Sequence, residues 1–146
     1  GETDEEFQTL LNFVEEMRFD HAGAFQFSVE TGTASVAYGD TVPGQVKENR
    51  FERLMELQQS ISLQINQSFV GQTLDVLIEG ATKGITIGRS YRDAPEIDGM
   101  VLVEGKAKIG SIIPVKITGA MAYDLTGIPT KIRMNTTNAM TAAGTV

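Results

Sequence analysis

At Gly71 the apolar pattern of this chain changes period. Before it, apolar residues recur every three or four positions, which is the spacing of a helix face; after it they come in short runs broken by glycine. Those runs predict strands over 73–79, 84–90, 99–104, 111–119 and 120–125. Five short strands in so small a stretch leave two edges that nothing else can cover. The expected solution is closure into a small barrel, which removes the edges altogether.

Upstream, two helices are predicted. Thr3 with Glu6 three residues later reads as a capping box, and Phe7, Leu10, Leu11, Val14 and Met17 lie on one stripe of a helix over 4–18. Phe25 and Phe27 alternate with small or polar residues, so 22–29 is expected to be a strand, with His21 as a polar residue before it. An irregular loop then runs to Pro43. A long helix beginning near 43–45 and ending near 69 places Phe51, Leu54, Met55, Gln58, Ile61, Ile65 and Phe69 on one side, with Gly71 as its left-handed cap. One helix, one strand and a loop cannot bury a core alone, so the first 44 residues read as an excerpt of an α/β barrel.

The expected fold class is therefore an α+β fragment: the last helix and strand of a partial α/β barrel over 1–44, a linker helix over 45–70, and a five-stranded antiparallel OB-like β-barrel over 71–127. A tail over 128–146 holds too few apolar residues to pack, and is expected to be flexible.

Charge and composition narrow the chemistry. Residues 1–68 carry 12 acidic and 4 basic side chains, 69–126 carry 7 and 6, and the tail adds Lys131 and Arg133, so that the net charge of −7 comes from the N-terminal half. A module that neutralises nucleic-acid phosphates needs a basic excess, and the barrel region has none. Cysteine is absent and histidine occurs once, so this segment cannot hold thiolate-bound zinc or an iron–sulfur cluster. No apolar run approaches the roughly 18 residues of a membrane span, and the acidic start is unlike an export signal. Neither a membrane partner nor an export route is expected, which leaves the cytoplasm. The glycines of 80–88 precede no Gly-Lys-Ser/Thr, so they are not read as a phosphate loop.

Three stretches resemble a known family. Gly1-Glu2-Thr3-Asp4-Glu5-Glu6-Phe7 resembles the end of a Gly-Phe-Pro-Gly-Glu-Thr loop and the following helix of the radical S-adenosylmethionine methylthiotransferases, the MiaB/RimO family. Residues 28–34, with Val46-Lys47, Arg50, Leu54-Met55 and Leu57, resemble that family's last barrel strand, Gly-Thr loop and linker helix; Val29, Glu30 and Ser35 depart from its arginine- and proline-containing loop. The run from Gly88 to Gly99, with Asp93-Ala94-Pro95-Glu96-Ile97-Asp98, is similar to the TRAM-domain signature of the RimO branch rather than the tRNA-modifying MiaB branch.

The resemblance implies a parent enzyme with two 4Fe-4S clusters ligated outside this chain. One cleaves S-adenosylmethionine to a 5′-deoxyadenosyl radical and the other supplies sulfur. It implies methylthiolation of the β-carbon of an aspartate in the twelfth protein of the small ribosomal subunit, with the barrel helping to hold that protein. The partners implied are that basic ribosomal protein and the missing N-terminal part of the parent; RNA is the alternative partner. No catalytic or metal-ligating residue is expected here. Glu2, Ser28, Glu30, Gly32 and Thr33 fall at strand ends that open on an α/β-barrel active site, which makes them candidates for cofactor binding against the plainer reading of turn and cap residues. Arg89, Arg92, Asp93, Glu96 and Asp98 sit on a proline-stiffened loop and are candidates for recognising a basic protein; internal ion pairing is the competing reading.

Overall fold

The computed structural model describes residues 1–94 and 99–130. Helix α1 spans Asp4–Met17 and opens on the expected capping box: the Thr3 hydroxyl accepts from the Glu6 amide at 3.3 Å, and the Thr3 amide donates to Glu6 Oε2 at 2.8 Å. Phe7, Leu11 and Val14 are the residues it buries. A one-turn helix α2 (Ser35–Tyr38) interrupts the expected irregular loop. Helix α3 (Gly44–Gln67) follows, and it packs across α1.

The sheet comprises β1 (Thr73–Thr82), β2 (Ile85–Arg89), β3 (Val101–Glu104), β4 (Ile112–Ala120) and β5 (Leu125–Pro129), closed in the order β1-β2-β3-β5-β4. Four of the five pairings are antiparallel. The fifth, β3 against β5, is parallel, with Val101 opposite Leu125 and Val103 opposite Gly127. That seam corrects the expectation of a wholly antiparallel barrel, and its cause is simple. The strand that closes the ring reaches β3 by way of β4, so it arrives running in the same direction.

Alternation along each strand fills the interior. Leu74, Val76 and Ile78 of β1 meet Val101 and Val103 of β3, Val115 and Ile117 of β4, and Leu125 of β5 in one core. Each such side chain contributes about 1.5–3 kcal/mol when taken fully from water. Gly127 lets the ring close: a Cβ there would lie 2.5 Å from Val115 Cγ1 and 2.7 Å from the Lys116 carbonyl. The helices join the barrel at the turn after α3, where Gly71, at φ 91°, donates to the Ile117 carbonyl at 2.9 Å.

Three other expectations are corrected. Residues 22–29 form no strand, since among the described residues no strand lies beside them; Phe25 is fully exposed and Phe27 half so. The last strand lies at Leu125–Pro129 rather than 120–125, because residues 121–124 turn, with the Met121 amide donating to the Asp124 carbonyl at 2.8 Å. Strand β5 therefore takes in Ile128 and Pro129, which were expected to begin the tail; residues 131–146 lie outside the described ones. The stripe expected on the long helix does face inward: Gln58 and Ile61 are buried and Phe51, Leu54, Met55 and Ile65 half-buried, with Arg50, Ser62 and Asn66 buried beside them.

Gly127→Ala should destabilise the barrel by about 1–3 kcal/mol through overpacking, because one of the two clashing groups is backbone and cannot rotate away; denaturant unfolding measures this. The Thr3 hydrogen bonds lower the Glu6 pKa from its ordinary value. Since the folded pKa is the depressed one, its stabilisation of α1 is complete above about pH 4.5 and is lost as pH falls through the folded pKa. An acid titration followed by circular dichroism should show this loss, and Glu6→Gln should flatten it.

Candidate functional site

Two regions gather the residues that could act. The first is a cavity of about 490 Å³ beside the crossing of α1 and α3, walled by Phe7, Phe25, Tyr38 and Phe51 and edged by Glu2 and Arg50. Arg50 is nearly buried, and it donates to Glu2 Oε2 at 2.8 Å, to the Glu2 carbonyl at 2.9 Å and to Asp4 Oδ1 at 2.7 Å. The Asp4 hydrogen bond, with the Glu2 charge, raises its pKa against the opposing effect of burial. Its guanidinium also lies 5.4 Å from the Phe7 ring centroid, and that of Arg53 lies 5.0 Å away.

Of the five cofactor candidates, Glu2 alone lines this cavity. Ser28, Glu30, Gly32 and Thr33 instead tie up their own loop. Ser28 Oγ donates to Glu30 Oε1 at 3.0 Å, the Thr33 hydroxyl donates to the Glu30 carbonyl at 2.8 Å, and the Glu30 amide donates to Ser35 Oγ at 3.1 Å. Gly32 makes the bend at φ 84°. Lys47 pins the neighbouring backbone by donating to the Phe27 carbonyl at 3.0 Å, and it pairs with Asp40 at 2.6 Å.

The second region is the turn that follows β2. Arg89 pairs with Glu79 across the β1–β2 ladder at 2.6 Å. Asp93 folds back, accepting from both the amide and the hydroxyl of Ser90 at 2.8 Å. Arg92 reaches away from the barrel to Asp20 and Asn66. Glu96 and Asp98 lie outside the described residues. Among the candidates that are described, side chains spread along the sequence are drawn into internal pairs.

Of the residues that hold these regions together, sequence reasoning placed Gln58 on the inward stripe and missed Ser62 and Asn66. Gln58 donates to the Phe19 carbonyl at 2.7 Å, Ser62 donates to the Asp20 carbonyl at 2.7 Å, and Asn66 donates to the Met121 and Ala122 carbonyls at 3.0 and 3.3 Å. The three recur every four residues, a polar stripe at helical spacing beside Ile61 and Ile65. That spacing was the available signal. Among the described residues no cluster of three or more His, Cys, Asp or Glu could hold a metal ion, and no helix is long and apolar enough to cross a membrane.

Residues 70–129 match the family model of the TRAM domain. The chain is 51% identical over 129 residues to the ribosomal protein uS12 methylthiotransferase RimO of Microcystis aeruginosa, covering 87% of this chain and 30% of the relative. It is 52% identical over 130 residues to that of Synechocystis, covering 88% and 29%, and 48% identical over 131 residues to that of a Thermus thermophilus strain, covering 88% and 30%. The chain is similar to the matched part of these RimO proteins, and its barrel is a TRAM domain. It spans about 30% of the length of these relatives. Helices α1 and α3 and the segment between them precede the TRAM barrel, whose β4–β5 turn is held against α3 by the Asn66 side-chain amide.

Gln58→Ala should cost about 1–3 kcal/mol by leaving the Phe19 carbonyl and Ser62 hydroxyl short of a donor in a buried place. The cost should appear in urea unfolding of the helical part, while the barrel residues keep their amide-exchange protection.

Proposed function

We propose that this chain is part of a methylthiotransferase that places a methylthio group on the β-carbon of an aspartate in the twelfth protein of the small ribosomal subunit. The TRAM barrel, in this reading, holds that basic protein substrate. The identity of 51% to a RimO protein over 87% of the chain carries the proposal. The charge of the barrel region supports a protein over RNA: seven acids against six bases between residues 69 and 126 offer little to a phosphate backbone. A cytoplasmic address fits a ribosomal substrate.

In the parent, two 4Fe-4S clusters and S-adenosylmethionine would supply the radical and the sulfur. This chain has no cysteine, so the cluster thiolates have to come from the rest of the parent. What the chain contributes is a wall and a grip. The aromatic cavity edged by Glu2 and Arg50 is assigned to the cofactor side, where Glu2 is already oriented by its ion pair. Ser28, Glu30, Gly32 and Thr33 act there by shaping the loop at the cavity's flank rather than through free polar groups. On the barrel, Arg89, Arg92 and Asp93 fix the turn after β2, from which the chain continues to Glu96 and Asp98. Carboxylates in that stretch of sequence suit a lysine- and arginine-rich partner, for which complementary charge provides specificity and encounter rate.

The test uses the full-length parent, reconstituted anaerobically and offered either the ribosomal protein or tRNA. A mass gain of one methylthio group on the protein aspartate is expected, with deletion of residues 70–129 raising KM for the protein. Modification of tRNA instead of the protein would overturn the proposal.

A further inference from the structure

The Arg92 side chain belongs to the barrel by sequence and to the helices by contact. It lies in the turn after β2, yet its Nη2 donates to Asp20 Oδ1 just beyond α1, and its Nη1 donates to Asn66 Oδ1 on α3 at 3.2 Å. Its guanidinium carbon stands 4.1 Å from the centroid of the Phe69 ring. Only 8% of the side chain is exposed, against 58% for Asp20. The turn beneath it is held by Asp93 on Ser90 and by the Arg92 amide donating to Ser90 Oγ at 3.3 Å. Asn66 meanwhile grips the β4–β5 turn through the Met121 and Ala122 carbonyls. Two loops of the barrel are thus held from one place near the end of α3.

Adhesion alone does not call for a desolvated arginine, since apolar residues of similar volume hold such contacts as well or better. A planar guanidinium differs in that it fixes direction: its two donors and its flat face each demand a partner at a set angle. Here three partners come from three places along the chain, namely the segment after α1, the last turn of α3 and the turn after it. Satisfying all three restricts the angle at which the barrel can sit on the helices.

We propose that Arg92 is a positioning residue, a latch that sets the angle at which the TRAM barrel is presented to the helical part and so to the reacting centre of the parent enzyme. The catalytic arm of the test rests on the methylthiolation reading above, whereas the geometric arm does not.

The chain has no cysteine, so Gln8→Cys on exposed α1 and Lys116→Cys on exposed β4 give two specific sites for spin labels. Pulsed dipolar spectroscopy of the whole chain should give one narrow distance distribution. Arg92→Ala should broaden it, and so should Arg92→Lys, because an ammonium cannot meet Asp20, Asn66 and the ring together. Asp20→Asn, which changes no barrel residue, should broaden it with the barrel's thermal unfolding unmoved; this variant decides the matter if Arg92→Ala fails to fold. In the full-length parent, Asp20→Asn should raise KM for the protein substrate several-fold and leave S-adenosylmethionine cleavage without protein substrate unchanged. An unbroadened distribution in Asp20→Asn would overturn the latch, as would an equal loss of both activities. Should the parent prove to act on another substrate, the distance measurement still stands or falls by itself.

Discussion

Every backbone donor and acceptor in a five-stranded sheet needs a partner, and five strands are too few to hide two open edges. The parallel seam of β3 and β5 meets that constraint, and much else follows from it. Closing the ring forces Val101, Val103, Val115, Ile117 and Leu125 toward one axis, requires a glycine at position 127, and leaves the barrel without an edge to offer α3. Helix and barrel therefore meet through other means. Main-chain bonds of Gly71 and Gln72 with Ile117 continue the chain into the barrel wall, and the single side-chain amide of Asn66 reaches two of its loops.

Where burial follows alternation, the sequence reads plainly. The capping box, both long helices, four of the five strands and the closed barrel were legible because each rests on a local pattern that tertiary contact reinforces. Strand β5 was placed five residues early because Ala120, Met121 and Tyr123 look like strand residues. Only Asp124, whose carboxylate accepts the Met100 amide at 3.0 Å, marks the turn. The segment with Phe25 and Phe27 carries a strand pattern with no neighbouring strand among the described residues to realise it, and a ladder cannot form from one side.

The candidate site was less legible, for a different reason. Serine and asparagine at positions 62 and 66 are ordinary solvent-facing residues in most helices, so polarity alone hid their burial, whereas Gln58 fell on the apolar stripe. Arg92 and Asp93 stood out as charges on a loop, and charge alone does not tell whether a side chain points to a partner or to its own protein. Their bonds to Asp20, Asn66 and Ser90 connect residues up to 72 positions apart, a separation that no local pattern encodes.

The polar stripe of α3 has a thermodynamic consequence. Where a joint buries aliphatic surface, parting it exposes that surface to water and raises the heat capacity, so its strength varies steeply with temperature; burying amides has the opposite sign. At the joint between helices and barrel the Asn66 amide holds the β4–β5 turn and the Arg92 guanidinium stacks on Phe69, while Gln58 and Ser62 hold the segment after α1. The polar part of that joint should vary little in strength between cold and warm growth, while Phe69 and the aliphatic barrel core it packs against follow the usual curved dependence.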